Sequence, residues 1–419
     1  MVNNEWLSFI QMSDIHFKSY SGDSYDIDKP LRSAMINDLC NNGLKDIYNV
    51  KGILVCGDLA FSGQKGELDV ARDFLEIITD RLGLSLIDVF CVAGNHDVNQ
   101  NVIKNSYIIK VLQNELKKID DSDAENLDNV LRKIQKDKYV QGLLYASIEN
   151  YNQFAAGLLC NYTVDKPNWK SDFSLNEKYI LRLWGMNSTF VSNHEDHLDD
   201  NGNRLSEGRE RNMVINNRQI PEPRENVIYM TLCHHPTQCW NNQQLVSMMD
   251  GRVKLQLYGH KHIQSIDANS QRIIINSGAL QPERGNEWLP LYNWISLVVR
   301  ENELIVRIYP RIYDNKTGSF HKDSTICDMG KEYKELRLDL KGLLEIKDDE
   351  EKDFARRITS LTKEIAYRYS ILSQSDIKVI EQKFPDLKCD EGEIDKLLVR
   401  LHENSMEEEF LSILKTLEQ

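Results

Sequence analysis

The chain has 419 residues, 41% hydrophobic and 28% charged, with a formal net charge of −14 and a pI near 5.3. That length can bury one large core or two smaller ones, and the composition is ordinary for a globular protein. The acidic balance excludes a general nucleic-acid coat, because phosphate-backbone binding is driven by clustered Lys and Arg; a local basic groove stays open.

No stretch reaches the roughly 18 to 20 uncharged apolar residues of a membrane helix, so no membrane association is expected. The first apolar run, Trp6-Leu7-Ser8-Phe9-Ile10, reads as a strand leading into Asp14 and not as the core of a signal peptide. The eight cysteines form no CxxC pair, and Cys56, Cys91 and Cys233 sit in apolar runs. That usage predicts reduced, buried thiols and a cytoplasmic location.

In chain order, Leu7 to Met12 predicts a strand, Pro30 to Leu44 a helix and Gly52 to Cys56 a second strand. Lys65 to Leu82 predicts a second helix and Asp88 to Ala93 a third strand. Short apolar runs alternating with amphipathic segments mark βαβ units. Asp14-Ile15-His16, Gly57-Asp58 and Gly94-Asn95-His96-Asp97 each follow one of those strands, at the edge where open α/β sheets bind their ligands. Residues 98–178 carry apolar residues at helical spacing, as in Val102 to Ile119 and Asn126 to Leu159. They predict a helical insertion that caps or walls the strand ends.

Strand patterns return at Tyr179 to Trp184, Asn226 to Cys233, Val253 to Tyr258 and Arg272 to Asn276. Two of them end in His234-His235-Pro236 and Gly259-His260-Lys261-His262. His194 to Arg211, rich in Asp, Asn, Gly and Arg, predicts a loop, and Trp294 to Val299 and Leu304 to Tyr309 predict two further strands. From about Leu343 the composition turns to charged helix formers, with helices expected at Asp353 to Leu372, Ser375 to Lys383 and Glu393 to Leu417. The expected domains are therefore 1–342, with 98–178 inserted, and a 343–419 extension.

An Asp-x-His pair at a strand end sets both side chains toward one cation, although alone it is a weak pattern. The two oxygens of Asp58 suit a bridge between metals about 3.5 to 4 Å apart. Asn95 offers a neutral oxygen ligand. His96 is then left to protonate or stabilise a departing oxygen, with Asp97 accepting its other N–H and fixing the tautomer. Only one ring of the His234-His235 pair is expected to point as a strand-end ligand. His234 is favoured, with His235 behind it or facing the substrate, and the reverse assignment stays open. His260 and His262 repeat the Asp14 and His16 logic, and the whole set predicts a two-metal hydrolytic site.

The five blocks in this order resemble the calcineurin-like metallophosphoesterase superfamily over residues 5 to about 310. The resemblance implies an α/β fold, a two-sheet αββα sandwich with a dinuclear centre between the sheet ends. It implies Asp14, His16, Asp58 and His262 around a first metal, and Asp58, Asn95, His234 and His260 around a second. His96 would assist the leaving group and Asp97 would orient it. The cofactors would be two divalent ions, with Mn, Fe and Zn all acceptable to these ligands.

Val55-Cys56-Gly57-Asp58-Leu59-Ala60-Phe61-Ser62-Gly63, the acidic helix from Glu67 and His234-His235-Pro236 look most like the cyclic-nucleotide and glycerophosphodiester phosphodiesterase branch. The implied reaction is hydrolysis of a phosphate ester, a small phosphodiester first, by in-line attack of a hydroxide held at the metals. Two other functions compete. A nuclease would need a basic track, for which Arg204, Arg209, Arg211, Arg218 and Arg224 are the candidate. A partner-binding protein with a residual site would recruit through 343–419, which equally reads as an oligomerisation element or as a helical layer on its own domain.

Overall fold

A computed structural model describes residues 5–19, 26–40, 47–119, 124–163, 166–193, 196, 213–282, 289–341, 343, 360–384, 387 and 394–417. Strand β1 (Leu7–Met12) is buried along its whole length, the pattern of a central strand covered on both faces. Its polar residues are paired rather than stranded: Ser8 Oγ meets Ser296 Oγ at 2.8 Å, and Gln11 Oε1 accepts from Asn293 Nδ2 at 2.9 Å.

Two sheets face each other. The first runs β12 (Ser319–Lys322), β11 (Glu303–Asp314), β10 (Leu291–Arg300), β1, β2 (Val50–Val55), β3 (Val89–Cys91), with β13 (Lys334–Asp339) sharing the outer edge of β11 with β12. Here β1, β2 and β3 are parallel and the rest antiparallel. The second runs β4 (Asn168–Ser174), β5 (Ile180–Met186), β6 (Val227–Cys233), β7 (Leu255–Tyr258), β9 (Ile273–Asn276), β8 (Ser265–Ala268), parallel except at both edges. Phe9, Leu54 and Phe90 of the first sheet share one core with Leu181, Met230 and Leu257 of the second. The Phe9 and Phe90 rings stand edge-on to Phe173 at 5.2 and 5.7 Å.

Helices cover both outer faces. On the first sheet lie α1 (Lys29–Cys40) and α2 (Lys65–Leu82), the latter started by a Gln64/Glu67 capping box and stopped by Gly83 in the left-handed conformation. The inserted helices are α3 (Gln100–Asn105), α4 (Tyr107–Lys117), α5 (Ala124–Lys136), α6 (Lys138–Ala146) and α7 (Glu149–Ala156). Leu116, Leu127, Leu131 and Leu144 of this group, with Leu245 and Met249 of α8 (Gln243–Arg252), pack on the outer face of the second sheet around Tyr229. The insertion is thus mainly an outer layer of the sandwich. Its last part is not helical: residues 168–174 are strand β4, because Trp169 and Phe173, four positions apart and so on one face of a strand, face inward onto Phe90.

The carboxy-terminal helices α9 (Ser360–Ser370), α10 (Gln374–Lys383), α11 (Ile394–Glu403) and α12 (Glu407–Leu417) enclose a separate cluster containing Ile365, Phe384, Leu397, Leu401, Phe410 and Leu414. The single helix expected from Glu393 to Leu417 is two, broken at Ser405, whose φ is 54°. The tail docks through Tyr367, whose hydroxyl donates to Glu76 Oε1 at 2.8 Å, and through Lys363 Nζ, 3.4 Å from the Ile87 carbonyl. Ile87 precedes β3, whose far end leads to Gly94-Asn95-His96-Asp97, so the docking lies away from that cluster. The region around the expected 343 boundary, 342 and 344–359, lies outside the described residues, as do 194, 195 and 197–211 of the expected loop. No helix among the described residues is long and apolar enough to cross a membrane.

Candidate metal centre

All five sequence clusters converge at the carboxyl ends of β1, β2, β3, β6 and β7. The loops that carry them are stitched together by backbone: Asp14 N–H donates to Gly57 O at 3.1 Å, His16 N–H to Asp58 O at 3.0 Å and Gly259 N–H to His234 O at 3.1 Å. Asp14, His16, Asp58, His260 and His262 all adopt φ between 53° and 69°. Left-handed backbone in residues other than glycine costs on the order of 1–3 kcal/mol each and clusters where function requires it. Two glycines let the loops close. A Cβ on Gly57, φ 93°, would come within 2.5 Å of His234 Nδ1, and one on Gly94 would overlap the Asp58 carboxylate.

Asp58, 1% exposed, sits at the centre. Its Oδ1 accepts from the His96 backbone N–H at 2.8 Å, and its Oδ2 lies 3.2 Å from His234 Nε2. Asn95 Oδ1 lies 2.9 Å from the same His234 nitrogen and 3.1 Å from His260 Nδ1. Asp14 Oδ2 accepts from His260 N–H at 3.2 Å, while its Oδ1 has His262 Nε2 at 3.2 Å. The His16 ring stands 4.5 Å from His96 and 5.5 Å from His262, centroid to centroid.

These residues fit a cation. The other nitrogen of His234, Nδ1, already faces the Cys56 carbonyl at 2.9 Å and must donate to it, so Nε2 of the neutral ring is a lone-pair donor. Two further acceptors, Asp58 Oδ2 and Asn95 Oδ1, converge on it, an arrangement that needs a positive species among them. Without metal a proton takes that place: burial pushes His234 down, but the Asp58 charge and hydrogen bond outweigh it and raise its pKa to about 9. Asp58 is held well below the usual carboxylate range, since the charges of His234 and His96 overcome its burial. Burial also opposes ionisation of Asp14, yet contact with His262 and the charges of His262 and His234 bring it below its ordinary value. Burial drives His16 down to about 4, leaving a neutral ring suited to ligation. Among the described residues, four sets have ligand atoms within 4.8 Å of one another: Asp14, His16 and His262; His16, Asp58 and His96; Asp14, Asp58 and His234; and His234, His235 and His260.

Two expectations change. The expected pairing of Asp97 with His96 is absent. Asp97 Oδ1 accepts from Ala60 N–H at 2.8 Å and Oδ2 from Gly94 N–H at 2.9 Å, so its carboxylate ties the second loop to the third. His96 Nδ1 is instead held by the Phe61 carbonyl at 2.7 Å, and the ring is oriented by main chain. Asp97 is therefore a positioning residue for the loops. Burial, then the Asp58 charge, lifts its pKa to about 7. Asp97→Asn is expected to lower stability by about 1–3 kcal/mol, since an amide has one oxygen for two buried N–H donors. Thermal unfolding of the metal-free variant against the parent checks this, and an unchanged midpoint would contradict it.

Secondly, both rings of the His234-His235 pair enter the cluster. They stand 4.9 Å apart at 83°, because β6 ends at Cys233 and strand alternation no longer separates them. Sequence reasoning also missed Ser188, whose Oγ lies 2.8 Å from His235 Nδ1. The available signal was its place in Asn187-Ser188-Thr189, just past β5 at the same sheet edge. Of the candidate basic track, Arg204, Arg209 and Arg211 lie outside the described residues.

The family model for calcineurin-like phosphoesterases matches residues 7–264. Solved structures that the chain is similar to include a single mutant of Vps29 from Entamoeba histolytica, at 10% identity and a TM-score of 0.30 over 75% of this chain and 97% of that one. A conserved Streptococcus pneumoniae protein described as a predicted phosphoesterase matches at 12% identity and a TM-score of 0.27, over 76% and 97%. Vps29 from Chaetomium thermophilum matches at 9% identity and a TM-score of 0.31, over 80% and 97%. No curated protein matches the chain.

Proposed function

The chain belongs to the calcineurin-like phosphoesterase family, metal-dependent hydrolases of phosphate esters, and from that premise we propose that it is a phosphodiesterase of small diesters with a dinuclear centre. The observation that carries the two-metal reading is the position of Asp58, a buried carboxylate with ligand atoms within 4.8 Å of those of His16 and Asp14, assigned to one ion, and of His234, assigned to the other. Asp14, His16, Asp58 and His262 would hold the first ion, and Asp58, Asn95, His234 and His260 the second. Bound there, Mn, Fe or Zn would supply Lewis acidity toward the phosphoryl oxygens and a nucleophile near neutral pH.

The chain's own groups do the rest. The Phe61 carbonyl accepts a hydrogen bond from His96 Nδ1–H, so the second proton of the imidazolium form would sit on Nε2, from where it would pass to the departing alkoxide and leave the ring neutral. Phe61, 43% exposed, stands 5.7 Å from the His96 ring with Lys18 Nζ 4.3 Å over its own ring, an apolar and cationic neighbour for the ester group. The likeness of Val55 to Gly63 and of His234-His235-Pro236 to the cyclic-nucleotide and glycerophosphodiester branch supports diesters over monoesters.

Residues 1–342 would form the catalytic domain and 343–419 a helical extension. The contacts of Tyr367 and Lys363 with Glu76 and Ile87 support a layer on the chain's own domain. The buried cysteines Cys56, Cys91, Cys160 and Cys233, outside any disulfide, suit a reducing compartment and hence the cytoplasm. The test is a substrate panel with added Mn: bis-p-nitrophenyl phosphate, p-nitrophenyl phosphate, cyclic nucleotides, and single- and double-stranded DNA. Turnover of the small diesters is expected. Cleavage of DNA without them would replace this reading with that of a nuclease.

A further inference from the structure

We propose that His235 is an additional ligand of the second metal position, held for that task by Ser188; the proposal rests on the metal-dependent reading above. A ring nitrogen of His235 lies within 4.8 Å of ligand atoms of both His234 and His260, and its ring centroid is 4.5 Å from that of His260. The residue is fully buried, so its ring faces the cluster without opening to solvent.

Ser188 anchors one nitrogen of the ring. Its Oγ accepts from the His235 backbone N–H at 3.3 Å and lies 2.8 Å from His235 Nδ1. With the ring proton on Nδ1, directed at that oxygen, Nε2 keeps the lone pair for a metal. Metal-binding histidines use one nitrogen as ligand and anchor the other in this way. The backbone is pinned as well: Trp240 Nε1 donates to the His235 carbonyl at 3.0 Å, and Cys233 Sγ lies 3.4 Å from it.

The consequence is asymmetry. With His234, His235 and His260 the second position has three imidazoles beside Asn95 and Asp58, whereas the first has two beside two carboxylates. Imidazole-rich sites favour Zn and Fe over Mn, so the second position should hold Zn more tightly than the first.

The test is titration of the metal-stripped, full-length chain with Zn against a chromophoric chelator, with turnover not used as a readout. The parent is expected to bind two ions, one more tightly. His235→Ala should weaken the tighter site by about 10- to 100-fold and leave the other in place, and Ser188→Ala should weaken the same site by about 10-fold. X-ray absorption of the Zn-loaded parent should count more nitrogen ligands than that of His235→Ala. Should His235→Ala misfold, Ser188→Ala decides by itself. Two ions held by a folded variant as tightly as by the parent would overturn the ligand assignment. A parent that takes up no metal would overturn that assignment together with the reading beneath it.

Discussion

Asp58→Ala is expected to abolish diester hydrolysis, with a fall of about 10³-fold or more, and to strip the centre of metal. The size follows from how many groups the carboxylate serves. Asp58 Oδ2 is the anionic neighbour of His234 Nε2, and Oδ1 accepts the His96 backbone N–H that fixes the third loop. Its removal leaves Asp14 as the remaining carboxylate beside His16 and His234. Asp58→Asn separates the two jobs, because the amide oxygen can still accept the His96 N–H while the negative charge is gone. Both variants should lose metal and turnover, and Asn should melt closer to the parent than Ala. Metal content by mass spectrometry beside turnover of bis-p-nitrophenyl phosphate checks this, and full activity in either variant would contradict it.

His96→Ala should act on the other half of the reaction. Metal content should hold, because the ligands assigned to both positions are intact, while kcat falls about 10²- to 10⁴-fold for an alkyl leaving group. A proton donor matters most when the departing oxygen is basic. The loss should therefore shrink toward unity for p-nitrophenolate, which leaves without help. Measuring kcat over a series of diesters of rising leaving-group pKa gives the slope directly: steeper in His96→Ala than in the parent. Equal losses at every leaving group would remove His96 as the acid.

Much of this arrangement was legible from one-dimensional pattern, for identifiable reasons. Leu7 to Met12 and Lys65 to Leu82 matched the observed elements residue for residue, because a short, largely apolar run and a Gln64/Glu67 box with Gly83 are local signals. The five clusters were legible because each follows a strand, and parallel strands bring their carboxyl ends to one edge. Tertiary relations were not. Ala60 N–H, the partner of Asp97, is 37 residues away, and spacing cannot show that this carboxylate bonds main chain while Phe61 holds His96. Strand β4 escaped notice because Asn168 to Ser174 has two apolar residues, Trp169 and Phe173, among polar ones, and only the facing sheet explains them. The break at Ser405 was hidden within a helical period that continues on both sides of it.

The most direct test of a dinuclear centre built around Asp58 is to strip the chain of metal and add Mn stepwise while following bis-p-nitrophenyl phosphate hydrolysis. Turnover is predicted to be absent at first and to rise until two ions are bound per chain, with no further gain. Full turnover in the stripped protein, or a plateau at one ion, would contradict it.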